Sequence, residues 1–96
     1  MKVVPPLIDF HLLVCTNARE NGNDCASKGS VKMLEELKSW AKTQKFSKKI
    51  RINKSGCLDR CAEGVVAVAY PSAEWIVNAS TMDLDSMKKF IQERAQ

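Results

Sequence analysis

Residues 65–77, VVAVAYPSAEWIV, contain the most strand-like run of the chain. The six residues VVAVAY at 65–70 have the composition of a β-strand, and EWIV at 74–77 suits a returning strand. Between them, PSA at 71–73 forms a tight turn. The stretch therefore predicts a β-hairpin.

Two further strands are predicted upstream of this hairpin. Residues 10–14 (FHLLV) are a short apolar run suited to a buried strand, and residues 50–52 (IRI) alternate as a strand does. A helix between them is expected to begin near Ser30, a good N-cap residue, and to end near Lys45. A turn at 53–56 follows the strand at 50–52.

A second helix is predicted near the end of the sequence. Ser80 with Asp83, or Thr81, caps it. Its apolar face is formed by Leu84, Met87, Phe90 and Ile91. The order of elements favours the α/β class, with a mixed sheet of about four strands and two main helices, and the first strand–helix–strand segment fits a right-handed parallel unit.

Length and composition predict one compact domain. The chain has 96 residues, of which 45% are hydrophobic. Residues 1–9, which Pro5 and Pro6 interrupt, are expected to be a loosely ordered lead-in, and residues 10–96 a single domain. The N-terminus does not resemble a signal peptide, and no apolar run approaches the roughly 18 residues of a membrane span. We therefore expect a cytoplasmic protein without a membrane partner.

Four cysteines are the candidate site residues. Cys15, Cys25, Cys57 and Cys61 follow the pattern C-x9-C, 31 intervening residues and C-x3-C. They lie in predicted loops, either directly after a strand or just before the first helix. Two loops at the same end of a sheet bring four thiols together, so this arrangement suits a tetrathiolate site.

Three kinds of chemistry fit four such thiols. Structural zinc prefers tight pairs, which Cys57 and Cys61 provide and Cys15 and Cys25 do not. An iron–sulfur cluster spreads its ligands over several ångströms and accepts a wide pair more readily. Disulfides are disfavoured in the expected compartment. The spacing favours a cluster but leaves open a zinc-bound structural or interaction module, and a thiol oxidoreductase using Cys57 and Cys61.

Several motifs together resemble the thioredoxin-like [2Fe-2S] ferredoxins, which are related to the cluster-bearing small subunit of respiratory complex I. These motifs are HLLVCTN, CASKGS, GCLDRC, VVAVAYP and EWIV, and the resemblance covers roughly residues 10–95. It implies a thioredoxin-like fold and a homodimeric carrier of single electrons. It also implies that one [2Fe-2S] cluster is bound by Cys15, Cys25, Cys57 and Cys61.

Two positions depart from that family's pattern. Val65 follows Gly64 where the family commonly has proline, and Asp59 stands where a small residue often occurs. Asp59 is expected to oppose reduction of the cluster, whereas the nearby Lys28 and Arg60, together with Lys54, are expected to favour it. Neither departure removes a ligand.

The basic residues are concentrated in one part of the chain. The net charge is +4, and residues 28–60 hold ten Lys and Arg against three Asp and Glu. Such a face would steer the protein toward redox partner proteins with an acidic docking surface, while nucleic acid is an unlikely partner because no known binding motif is present.

The remaining distinctive side chains are expected to be structural. His11 is interpreted as a structural histidine. Trp40 and Trp75 are expected to pack in the core or in a dimer interface, and the core is favoured. No Ser-His-Asp set, paired catalytic carboxylates or phosphate loop is evident, so an enzyme is not expected.

Overall fold

Four strands and two helices make up the part of the chain that the structure, a computed structural model, describes: residues 1–16, 29–56 and 65–96. In chain order they are β1 (Phe10–Cys15), α1 (Ser30–Lys42), β2 (Ile50–Ser55), β3 (Val65–Tyr70), β4 (Glu74–Ala79) and α2 (Leu84–Ala95). A single 3-10 turn, Thr81–Asp83, leads into α2. The expected element order is confirmed.

The strands form one mixed sheet in the order β2-β1-β3-β4. β1 pairs in parallel with β2, in a register that sets Cys15 beside Ser55. On its other side β1 pairs antiparallel with β3, which in turn forms the expected hairpin with β4. The strand that ends in Cys15 is therefore central and is held from both sides.

Both helices pack on one face of this sheet, which we call the helix face. Alternation along β1 turns Phe10, Leu12 and Val14 toward it. They form one buried core with side chains from the helices, namely Met33, Leu34, Leu37, Met87, Ile91 and Ala95. The opposite face, which we call the cysteine face, carries His11, Leu13 and Cys15 from β1, and the strand register adds Val66, Val68, Tyr70 and Trp75 to it.

Helix α1 begins where the sequence predicts, but its cap and its end differ from the prediction. Its N-cap is Gly29, in a left-handed conformation with φ of 92°, and Ser30 is the first helical residue. The prediction that Ser30 caps the helix is therefore wrong, because a glycine tolerates this backbone conformation without steric cost. The helix ends at Lys42 rather than near Lys45, since Thr43 bonds back to the carbonyl of Trp40 through both its amide and its hydroxyl.

Strand β2 is longer than predicted. The sequence indicated a turn at 53–56, but residues 53–55 continue the strand because each pairs with a residue of β1 up to Cys15. The predicted Ser80–Asp83 capping box forms, but it caps the 3-10 turn Thr81–Asp83; the N-cap of α2 itself is Asp83, which makes no side-chain cap bond. Ser80 Oγ accepts a bond from the Met82 amide at 3.2 Å, and the Ser80 amide donates to Asp83 Oδ2 at 2.9 Å.

The two tryptophans differ in environment. Trp40 is half-buried, packs against the core and lies 5.8 Å from the Phe46 ring, centroid to centroid. Trp75 lies on the cysteine face and is 44% exposed, so the prediction of a core position is wrong for it. Val68, its cross-strand neighbour, is buried, so at this position of the cysteine face burial ends between β3 and the edge strand β4.

Within the described residues, no helix has both the length and the apolar character that crossing a membrane requires. Residues 1–9 contain no strand or helix, and Asp9 and Phe10 bond to the carbonyl of Lys49 at the start of the sheet. The division into a lead-in at 1–9 and one domain at 10–96 stays a prediction.

An ion pair fastens α2 to the edge strand β4. Arg94 donates from Nε to Glu74 Oε1 and from Nη2 to Oε2, each at 2.7 Å, and its guanidinium lies 3.7 Å from the centroid of the Phe90 ring. The two hydrogen bonds from Arg94, and a third from the Ser72 hydroxyl, lower the pKa of Glu74 to about 2. The same carboxylate raises the pKa of Arg94.

We predict that Arg94→Met raises the pKa of Glu74 toward its usual 4.5. Carbon NMR of the Glu74 carboxyl between pH 7 and pH 4 should show no titration in the wild type and the start of one in the variant. Because the folded-state pKa is lowered, the stabilisation is complete above about pH 4.5 and is lost as the pH falls through about 2.

Lys89→Met removes a positive charge from the same helix and serves as the control. It should leave the Glu74 titration unchanged. A Glu74 carboxyl that titrates in the wild type as it does in the Arg94 variant would contradict the account.

Candidate metal centre

Cys15 is the one predicted ligand that lies within the described residues. It ends β1, is fully buried on the cysteine face, and shares that environment with the buried Val66 and the half-buried Val77. A thiol so placed is shielded from solvent at the rim of the sheet. The other three predicted ligands, Cys25, Cys57 and Cys61, lie outside the described residues.

The other three cysteines belong to two cysteine-bearing segments, residues 17–28 and 57–64. The chain enters and leaves both segments near the edge of the sheet where Cys15 lies. Beside Cys15, β2 ends at Ser55, and the Thr16 amide donates to the Ser55 carbonyl at 3.3 Å. β3 runs antiparallel to β1, so its first residue, Val65, lies at this edge as well. The parallel pairing of β1 and β2 therefore places the starts of both segments close together, and the antiparallel β3 places the end of the second segment beside them.

Helix α1 begins close to the same edge. Val31 of its first turn lines one surface depression together with Thr16, which follows β1, and Lys54, near the end of β2. The first turn contains no acidic residue. Since the N-terminus of a helix carries partial positive charge, this end of α1 favours a negatively charged group.

The environment of Ser30, in that first turn, indicates which kind of chemical group the site can bind. Its hydroxyl is fully buried and has no hydrogen-bond partner among the residues that the structure describes. A buried hydroxyl without a partner costs on the order of 1–3 kcal/mol, so an acceptor at this point would be stabilising. A metal–thiolate cluster offers anionic sulfur as an acceptor, and the residues present fit such a group.

Sequence reasoning missed this role of Ser30, because serine before an apolar helix is usually read as a cap. The residue that indicates the correct cap is Gly29, directly before the serine. A glycine there permits a left-handed N-cap, which makes Ser30 the first helical residue instead of the cap.

His11 takes no part in a described metal site. Its Nε2 donates to Asn53 Oδ1 at 2.9 Å across the β1–β2 pair, which supports the structural role expected from the sequence. Over residues 1–16, 29–56 and 65–96, no group of three or more His, Cys, Asp or Glu side chains is arranged to hold a metal ion.

Comparisons of sequence identify relatives. No protein-family model matches the chain. A 2Fe-2S ferredoxin from Clostridium pasteurianum is 31% identical over 80 residues, which cover 80% of this chain and 78% of the relative. A 2Fe-2S ferredoxin from Aquifex aeolicus is 29% identical over 82 residues, covering 80% of this chain and 73% of the relative.

Solved structures agree with these relatives. The wild-type thioredoxin-like [2Fe-2S] ferredoxin from Aquifex aeolicus matches with a TM-score of 0.75 and 23% identity, covering 91% of this chain and 88% of that one. A second structure of a thioredoxin-like [2Fe-2S] ferredoxin from that organism gives 0.71 and 26%, covering 81% and 74%. The chain belongs to the 2Fe-2S ferredoxin family, and the predictions of the family and of the thioredoxin-like fold are confirmed.

Proposed function

We propose that this protein is a one-electron carrier that holds one [2Fe-2S] cluster on Cys15, Cys25, Cys57 and Cys61, and that it is not an enzyme. Membership of the 2Fe-2S ferredoxin family supports the cluster and the carrier function. The observation that carries the ligand assignment is the buried Cys15 at the edge where the chain enters and leaves both cysteine-bearing segments.

Chain connectivity supports Cys57 as a ligand beside Cys15. Cys57 follows Ser55 by two residues, a span of at most about 7 Å, and Ser55 is the register partner of Cys15. Cys61 precedes Val65 by four residues, and Cys25 precedes Ser30 by five. Each of the three is therefore tethered within a few residues of the same edge.

The cluster supplies the redox chemistry by gaining and losing one electron without breaking a bond in the protein. The chain's contribution is to hold the cluster and to limit its contact with water. Cys15 packs with the buried Val66 and the half-buried Val77, so its surroundings on the cysteine face are apolar. Because four thiolates must stay reduced to bind iron, we place the carrier in the cytoplasm. We take residues 10–96 as its single domain and residues 1–9 as the lead-in.

Anaerobic purification followed by metal analysis tests the proposal. We expect brown protein with about two iron and two sulfide per chain, as a [2Fe-2S] cluster requires. Colourless protein with about one zinc would establish the zinc-bound module instead. Metal-free protein in which Cys57 and Cys61 titrate reversibly would establish a thiol oxidoreductase.

Serine substitution at each cysteine tests the ligand set. We expect Cys15→Ser, Cys25→Ser, Cys57→Ser and Cys61→Ser each to lose the cluster or to shift its visible spectrum, because an alkoxide is a harder ligand than a thiolate. Thr16→Ser, next to Cys15, is the matched control and should retain the cluster with an unchanged visible spectrum. A cysteine variant with unchanged iron content and spectrum would remove that residue from the ligand set.

A basic surface along the edge strand β2 supports docking of an acidic redox partner. Lys38 and Lys42 of α1 line one depression with Arg51 of β2, and all three side chains are exposed. Lys54, also exposed, continues this basic edge to the end of β2 beside Cys15. Positive charge so close to the site would steer a negatively charged partner toward the cluster.

Charge reversal on the basic edge is expected to change the rate of electron transfer with the sign of the oxidant. In stopped-flow oxidation of the reduced protein, Arg51→Glu with Lys54→Glu should slow the reaction with ferricyanide, an anion, several-fold. It should speed the reaction with hexaamminecobalt(III), a cation. Both effects should fade as salt rises.

The control for this experiment is Lys2→Glu with Lys89→Glu, two exposed residues whose substitution makes the same charge change outside β2 and outside the first turn of α1. It should have the smaller effect on both oxidants. Equal effects of the two double variants would show that net charge, and not the basic edge, governs the rate.

We also propose that two copies of the chain associate through the cysteine face. Tyr70 and Trp75 lie on this face, and each is 44% exposed. Tyr70 is the register partner of His11, and Trp75 that of Val68, so the two rings lie on adjacent rows of one sheet face. Such aromatic area is typical of interface centres, and a twofold axis would pair the patch with itself.

Trp75→Glu is expected to convert the dimer to a monomer in sedimentation velocity, because burying a charge in an apolar interface is costly. The circular dichroism spectrum should be unchanged, since Trp75 is outside the core. Met82→Glu, at a residue 92% exposed near the start of α2, is the control and should remain dimeric. A monomeric wild type, or a dimeric Trp75 variant, would contradict this interface.

A further inference from the structure

We infer that the hydroxyl of Ser30 donates a hydrogen bond to a sulfur atom of the [2Fe-2S] site and thereby raises the reduction potential of the cluster. This inference rests on the proposed function, because it requires the cluster to be present. It assigns to Ser30 a positioning and tuning role, not that of a ligand.

The first observation is the state of the Ser30 side chain. It is the one polar side chain among the buried residues of the described chain, with no exposed area. Its Oγ has no acceptor or donor within the residues that the structure describes. Buried hydroxyl groups in folded proteins are nearly always hydrogen-bonded, so a partner is expected that is not among those residues.

The second observation is the position of Ser30 at the start of a helix of 13 residues. Helical bonding begins with the Met33 amide, which donates to the Gly29 carbonyl at 3.1 Å. The amides of residues 30–32 therefore precede the first helical hydrogen bond. No acidic side chain occupies the first turn to satisfy them. Amides and hydroxyl together form a donor group that favours an anion.

The third observation is the location of this donor group. The depression lined by Thr16, Val31 and Lys54 places the first turn of α1 next to the ends of β1 and β2, where Cys15 and Ser55 are paired. In sequence, Ser30 follows Cys25 by five residues. Of the groups that the proposed function brings to this edge, the sulfur atoms of the cluster and its thiolates are anionic acceptors.

A hydrogen bond of this kind changes the potential because the two oxidation states differ in charge. Reduction adds one electron to the cluster, and the sulfur atoms become more negative. A donor bonds more strongly to the more negative sulfur, so it stabilises the reduced form more than the oxidised form. The proton stays on the Ser30 oxygen in both states, and only the electron moves to or from the partner.

Ser30→Ala tests this inference in the cluster-loaded protein. We expect the midpoint potential to fall, with the equilibrium shifted about tenfold toward the oxidised form, which is about 59 mV for a one-electron couple. Resonance Raman spectra give a second readout. Their Fe–S bands should shift between H2O and D2O in the wild type, and that shift should decrease in the variant.

Two further variants make the result specific. Ser30→Thr keeps the hydroxyl and should retain most of the wild-type potential. Ser39→Ala removes an exposed hydroxyl from the same helix and should leave the potential unchanged. If Ser30→Ala loads no cluster while Ser30→Thr loads one, the requirement for the hydroxyl supports the inference.

The outcomes separate this inference from the proposed function. A wild type that holds no cluster overturns the proposed function itself. A wild type with a cluster whose potential and Raman shift are unchanged by Ser30→Ala overturns only the role of Ser30. If neither Ser30→Ala nor Ser30→Thr loads a cluster, the test is the Raman spectrum of the wild type. Fe–S bands that do not shift between H2O and D2O would overturn the inference.

Discussion

The pairing of β1 with β2 is the constraint on which the rest of this structure depends. Because the two strands run in parallel, they end at the same edge of the sheet, and their register sets Cys15 beside Ser55. The antiparallel strand β3 on the other side begins at that edge. Three strand ends and the start of α1 thus surround one point, and the cysteines are tied to it by a few residues each.

The helix face of the sheet mainly stabilises the fold, and the cysteine face carries residues of the proposed function. The helix face holds the core, in which both helices pack on β1, and the Glu74–Arg94 pair fastens α2 to the edge strand. The cysteine face carries the buried thiol of Cys15 and, farther along the sheet, the exposed Trp75. The basic edge of β2 lies between the two faces, so an acidic partner would reach the site without crossing the core.

Much of this fold was predictable, because alternation and helical periodicity are local signals. What failed depends on neighbours in space. β2 extends to Ser55 because β1 continues beside it, and residues 50–52 alone do not encode that pairing. Trp75 was misplaced because a strand pattern such as EWIV does not tell which face another element covers. Ser30 was wrongly predicted to be the N-cap of α1, because the identity of the cap depends on the left-handed φ of Gly29.

For the candidate site, the sequence predicts which residues take part but not their geometry, and the ligand set stays a prediction. Cysteine spacing and the family motifs identified Cys15, Cys25, Cys57 and Cys61, yet loops lack the periodicity that fixes an arrangement in space. The structure adds what spacing lacks: the buried position of Cys15 and the hydroxyl of Ser30, which has no hydrogen-bond partner in the described part of the chain.

Electron paramagnetic resonance of the wild-type protein, purified anaerobically and reduced with dithionite, tests the central claim most directly. The account predicts a diamagnetic oxidised state and, after reduction, a low-temperature signal from one unpaired electron per chain, as a single [2Fe-2S] cluster gives. A brown, iron-loaded protein that yields no such signal, or a colourless protein that takes up no electron, would contradict it.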